Sequence, residues 1–182
     1  MGLVADGDRD IPSFERATRV AVVAALSATS MLFASVASAY LVRRSFGDWS
    51  QPAFVPWPGV LLAFAFLTSI GIEVGSRTLG RERRRAFRAA AIASGLYLFC
   101  GLVVIVSIAS SEGRLTAPHN AFIVLLLGIH LVHSILGAAF ARWSLRESIG
   151  FAAPNQPSLV RLVTHFLTLI LLAIVLLLFL RP

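Results

Sequence analysis

Lysine is absent from the 182 residues, cysteine occurs once, and charged side chains make up only 14% of the chain. The single thiol, Cys100, excludes an intrachain disulfide and a paired-thiolate metal site. Apart from Glu73, the long apolar stretches contain no carboxylate, which leaves little for a metal cage or a two-carboxylate acid–base pair. Motifs for nucleotide binding, phosphoryl transfer or hydrolysis are also missing. The connections are too short to hold a soluble catalytic domain, the first being about 16 residues long.

What the chain does have is apolar surface: 57% hydrophobic residues and a mean hydropathy of +0.82. A soluble domain of this size could not bury that much, so the composition is that of a membrane protein. The net charge of +7 does not point to nucleic acid. The arginines fall in the gaps between apolar stretches, where they meet anionic head groups.

Windows of roughly 20 apolar residues predict an all-α, polytopic protein with five spans, at about 20–42, 59–78, 89–109, 121–141 and 159–180. A polar segment, 1–19, precedes them. It lacks the apolar core of a cleavable signal, so insertion is expected to use the first span. The second span is short unless Ser76 to Leu79 extend it, with Arg77 reaching toward the head groups. Pro52, Pro56 and Pro58 stop any helix from running through the first connection. Trp49, Trp57 and Trp143 suit the membrane–water boundary. With the N-terminus inside, twelve arginines lie on the inner side and four, Arg43, Arg44, Arg114 and Arg181, on the outer. The positive-inside rule therefore predicts a cytoplasmic N-terminus and an outer, periplasmic C-terminus.

The spans are too uniformly apolar for their buried faces to be read from periodicity. Rows of small residues four apart are the better guide to helix contacts: Ser30, Ala34 and Ser38, then Gly71 and Gly75, then Ala91 and Gly95. The intramembrane polar groups are few. Thr29 and Ser30 sit in the first span, Glu73 in the second, His130 and His133 in the fourth, and Thr164, His165 and Thr168 in the fifth. Arg161, Thr164, His165 and Thr168 share one helical face, which must look into the bundle or toward another subunit. Glu73 and Arg77 read as an i,i+4 ion pair near the interface.

A haem could in principle lie between His130 and His165, but their depths differ by about 6–10 Å at a 1.5 Å rise per residue. His130 and His133 lack a third metal ligand at a matching depth. The simplest role for these rings is to bridge neighbouring helices by hydrogen bonds, at roughly 1 kcal/mol each. A small transporter is a further alternative. It would need a water path along Thr29, Ser30, His130, His133, Thr164, His165 and Thr168.

Several stretches resemble a known family. They are Ala28-Thr29-Ser30-Met31-Leu32-Phe33-Ala34-Ser35 with Ala39-Tyr40-Leu41 and Arg44, then Trp49, Pro52, Pro58, Thr68-Ser69 and Gly95. Above all there is Gly128-Ile129-His130-Leu131-Val132-His133 with Gly137, followed by Thr164-His165-Phe166. In order and spacing these resemble subunit III of haem-copper oxidases, in its five-helix form. The resemblance implies a subunit that carries no haem or copper of its own. It would pack on the catalytic subunit I, which holds the redox centres, with subunit II in the same complex, in a bacterial inner (plasma) membrane. Support of proton uptake and of durability during turnover is implied, in a cytochrome c or quinol oxidase. A related protein associated with nitric oxide reductase is the alternative. Gly128, His130, His133, Gly137, His165, Thr29 and Ser30 would then mark helix packing. Phospholipid is the small-molecule partner that the family suggests, although the lipid cleft of the seven-helix form should be altered or absent here.

The chain departs from the family pattern in its carboxylates. Thr29 stands where the family has a glutamate, Leu102 and Ile105 where it has a glutamine and a glutamate, and Thr164 and Thr168 where it has a tryptophan and an aspartate.

The arginine distribution sets an expected outcome for reporter fusions. A periplasmically active phosphatase joined to the C-terminus should be active, and one joined to the N-terminus silent. The reverse result would overturn the N-in topology.

Overall fold

The computed structural model describes residues 13–46, 49, 57–110, 117–147 and 156–179. Pro52, Pro56, most of the polar segment 1–19, and Arg9, Arg114 and Arg181 lie outside the described residues. The described residues form five helices: α1 Ser13–Arg44, α2 Trp57–Arg77, α3 Gly80–Ala109, α4 Pro118–Glu147 and α5 Gln156–Phe179. All five are long and apolar enough to cross a membrane.

The helices overrun the apolar windows because arginine and alanine are strong helix formers and nothing between them breaks the chain. α1 begins at Ser13, seven residues before the window at Val20, and takes in Arg16 and Arg19. α3 begins at Gly80, so Arg81, Arg83, Arg84, Arg85 and Arg88 ride on its first turns and not in a loop. α2 starts at Trp57 with Pro58 as its second residue, a position where a missing N–H costs little.

Only Thr78 and Leu79 separate α2 from α3. Thr78 closes α2 with backbone and hydroxyl bonds to the Val74 carbonyl, at 3.0 and 2.9 Å. Leu79 is extended, and Gly80 turns the chain at a φ of +62°, a conformation that favours glycine. The result is a tight antiparallel helix pair.

α2, α3, α4 and α5 form a ring in which each helix touches the next and α5 closes back on α2. α1 lies outside the ring and meets only α4 and α5. Neighbours run antiparallel around the ring: Glu73, Ser69 and Ala65 of α2 pair in turn with Arg161, His165 and Thr168 of α5.

The core falls into three layers. At the end carrying Trp49 and Trp57 it holds Phe33, Tyr40, Ile123, Leu126, Ile174 and Leu178. The middle layer is Leu61, Ala65, Tyr97, Leu127, Leu131 and Leu171. At the opposite, arginine-rich end it thins to Ile72, Ala90 and Val160. Trp143 is at that end, packed on Phe140 with ring centroids 6.1 Å apart. Outward-facing Met31, Phe66, Leu79 and Phe99 present apolar surface of the kind that lipid or a partner covers.

The small-residue rows divide. Gly71 and Gly75 do bring two backbones together: a Cβ on Gly71 would lie 2.9 Å from the Ala90 Cβ and 3.2 Å from the Ala86 carbonyl oxygen. A Cβ on Gly75 would lie 2.8 Å from the Phe87 ring. Ala34 and Ser38 of α1, and Ala91 and Gly95 of α3, are instead exposed. α3 packs through Ala90, Ala93, Tyr97 and Gly101.

Gly71→Leu should therefore destabilise the protein by about 1–3 kcal/mol, because its neighbours include backbone that cannot swing aside. Gly95→Ala, with nothing within 4 Å of the new Cβ, should be neutral or slightly stabilising. Thermal unfolding in detergent reads both. Equal tolerance of the two changes would mean that the α2–α3 contact is looser than described.

Candidate functional site

The polar groups gather at two places in the ring. The deeper one centres on His130 of α4, which is 2% exposed. Its Nε2–H donates to the Leu167 carbonyl of α5 at 2.8 Å. Its Nδ1 accepts from the Tyr97 hydroxyl of α3 at 2.5 Å, with Ser134 Oγ at 3.3 Å. A donor on one nitrogen and an acceptor on the other describe a neutral imidazole with its proton on Nε2. One ring thus ties three helices together, and the Tyr97 ring stands edge-on to it at 80°.

His133 does something different. Its Nδ1 donates to the Ile129 carbonyl of its own helix at 2.8 Å, and its ring leans on Phe33 of α1, 5.9 Å between centroids. Phe33 also touches His130, at 6.1 Å. A spacing of three turns the second ring about 60° around the helix, enough to change its neighbour from α5 to α1. The pair therefore shares a neighbourhood but not a site.

The second group spans α2 and α5. Glu73 pairs with Arg77, as the sequence predicts, and its Oε1 is also 3.6 Å from Arg161 Nη1. His165 Nε2 donates to Glu73 Oε2 at 3.3 Å, while His165 Nδ1 is 2.6 Å from Ser69 Oγ. Thr168, 6% exposed, bonds to the Thr164 carbonyl at 3.0 Å and reaches Ser69 Oγ at 3.5 Å. The predicted α5 face of Arg161, Thr164, His165 and Thr168 does look into the bundle, and α2 answers it. Glu73 accordingly joins its ion pair with Arg77 to Arg161 and His165 of α5.

The remaining marker residues act locally. Thr29 and Ser30 bond to the Ala25 and Leu26 carbonyls of their own helix, at 2.8 and 3.0 Å. Gly137 admits α5 closely, since a Cβ there would come within 3.0 Å of Leu167 Cδ1. Gly128 is less tightly placed, with only Ile105 Cδ1 at 4.0 Å. Tyr97 and Ser134, which complete the His130 site, were not singled out from the sequence. The available signal was that Tyr97 is one of only two tyrosines, set mid-span where its hydroxyl needs a partner.

His130 is level with Leu167, two residues along α5 from His165, so the depth difference between the histidines shrinks to about 3 Å by helix rise. The obstacle to haem ligation is chemical: in both rings each nitrogen is within hydrogen-bond distance of a protein group. Among the described residues no three of His, Cys, Asp and Glu come together as a metal site.

A cavity of about 560 Å³ lies between these two groups and the α3–α4 gap. Tyr97 and His130 line one end and Arg142 the other, with Phe87, Ala91 and Ala138 between them.

Tyr97→Phe and His130→Leu should each lower stability by about 1 kcal/mol, with a double-mutant coupling of roughly 0.6–1.7 kcal/mol. Unfolding in detergent measures it. Strict additivity would mean that the two side chains do not bond. No family model, no curated protein and no solved structure matches this chain.

Proposed function

We propose that the chain is a non-catalytic accessory subunit of a respiratory haem-copper oxidase, of the subunit III type. In this reading it lies in a bacterial plasma membrane with its N-terminus inside and packs on the catalytic subunit I, supporting proton uptake and the durability of the complex. The observation that carries the non-catalytic part is the state of the two deepest candidate ligands. The nitrogens of His130 and His165 are engaged in joining helices, which is what a packing subunit asks of them and what a redox subunit would not. The order of the marker residues from Thr29 to His165 supports the choice of family. The outward apolar surface of α1, whose membrane window is only 11% buried, suits a helix that meets a partner.

The transporter alternative is weaker on the same geometry. Beyond His130 the ring is closed by Leu61, Leu127 and Leu171, each at most 2% exposed. Thr29 and Ser30 are spent on their own helix. The polar residues therefore do not line one continuous path.

Affinity purification of the tagged chain from its native membrane tests the proposal. A haem-copper subunit I should accompany it, and the haem absorbance should leave with that partner when the complex is split. Stoichiometric haem retained by the isolated chain would overturn the reading. The catalytic subunit recovered distinguishes an oxidase from a nitric oxide reductase.

A further inference from the structure

The first turns of α3 carry a dense positive charge on one side. Arg81, Arg84, Arg85 and Arg88 are all exposed, and at about 100° per residue they fall within a single arc of roughly 100°. Arg83 points the other way and stacks over the Phe87 ring at 5.6 Å. Glu82, the one carboxylate among them, also lies off the arc. The described ion pairs all converge on Glu73 and include none of the four arginines.

The same face of α3 runs on as Ile92, Gly95, Phe99, Leu102 and Val106, all exposed, while the helix packs through Ala90, Ala93, Tyr97 and Gly101 on its other side. On its flank toward α4 the face opens into a gap. A Cβ on Gly101 would sit 2.7 Å from Leu131 Cδ2 of α4, whereas one on Gly95 meets nothing within 4 Å. Ala91 and Gly95 line one wall of the gap and Ala138 the other, with exposed Arg142 at its arginine-rich end. We infer that this face of α3, with the gap beside it, seats a membrane helix of a different protein, apolar across the bilayer and bearing carboxylates just beyond its arginine-side end.

Height separates that occupant from lipid. α3 has 30 residues, about 45 Å at 1.5 Å each, and its apolar window 89–109 accounts for the roughly 30 Å of a hydrocarbon core. The column from Arg88 to Arg81 would then rise about 10 Å from the edge of that core, past a head-group layer of about 5–8 Å. Lipid phosphates lie in a plane and would meet only its foot. Carboxylates spaced along a helix would meet its whole length, which is the complementarity that fixes register between partners. Arginines that merely set orientation need no common face.

Charge also excludes a second copy of this chain. Every other helix carries arginine toward the same end: Arg16 on α1, Arg77 on α2, Arg142 on α4 and Arg161 on α5. Any of them laid along α3 in the same orientation would set like charges side by side. The gap supplies the close approach, since helices in lipid associate where small residues let their backbones near. α1 does not touch α3, so the seat is separate from the α1 surface offered to subunit I and adds a second partner.

Energy transfer in phosphatidylcholine vesicles tests the seat, using the full chain with a fluorescent protein at its N-terminus and a synthetic membrane peptide as the probe. The peptide has about 20 leucines and alanines with two glycines four apart, and a run of either glutamates or glutamines at its dye-bearing end. The glutamate peptide should associate at least tenfold more tightly than the glutamine peptide. Changing Arg81, Arg84, Arg85 and Arg88 together to Gln should remove that difference. Gly95→Leu, whose side chain enters open space and blocks the gap, should weaken both peptides at least tenfold. Equal affinity of the two peptides for the native chain, or a difference that survives the arginine changes, would overturn the seat. So would binding indifferent to Gly95→Leu, or displacement of the glutamate peptide by an excess of phosphatidylglycerol, which would assign the face to lipid. The probe is a synthetic helix, so this seat and the oxidase-subunit reading stand or fall separately.

Discussion

Five helices long and apolar enough to cross a membrane would gain no hydrophobic reward from one another in lipid, so one imidazole bonded to two other helices carries unusual weight. His130 sits where α3, α4 and α5 meet, donating a hydrogen bond to the Leu167 carbonyl and accepting one from the Tyr97 hydroxyl. Around that junction the middle layer of leucines is closed, and below it α3 and α4 are free to separate. The position of the cavity follows from the position of the histidine.

The second polar group does comparable work on the other side of the ring. α2 and α5 share little small-residue packing, and what joins them is Glu73 with Arg161 and His165, then Ser69 with His165 and Thr168. Glycines also admit close neighbours between α3 and α4 at Gly101 and between α4 and α5 at Gly137, but only Gly71, between α2 and α3, meets its neighbour's backbone. The ring is thus held by three unlike joints: glycine contact, charged cluster and buried imidazole.

Helix number and approximate position were legible because runs of apolar residues near bilayer length have few alternatives. Helix ends were not, since α1 and α3 continue through arginines that hydropathy counts against them and helix propensity favours. The shared face of Arg161, Thr164, His165 and Thr168 was legible because polar residues in lipid must find one another. The small-residue rows were legible only at Gly71 and Gly75. In Ala34 and Ser38, and in Ala91 and Gly95, the same spacing occurs on surfaces that no described helix covers. Spacing states that a backbone can be approached, and the partner decides whether it is. Tyr97 escaped notice because its role appears only when α3 is laid beside α4.

Among the described helices, α1 touches α4 and α5 alone. The first of the five described helices therefore has the last two of them as its neighbours. While the chain is being synthesised, α2 and α3 can pair at once across their two-residue turn, but α1 meets its partners only when α4 and α5 have followed. During that interval its apolar flanks are open to any other helix nearby. Assembly of these five helices is then a matter of order in time, with α1 docking once α4 and α5 have been made.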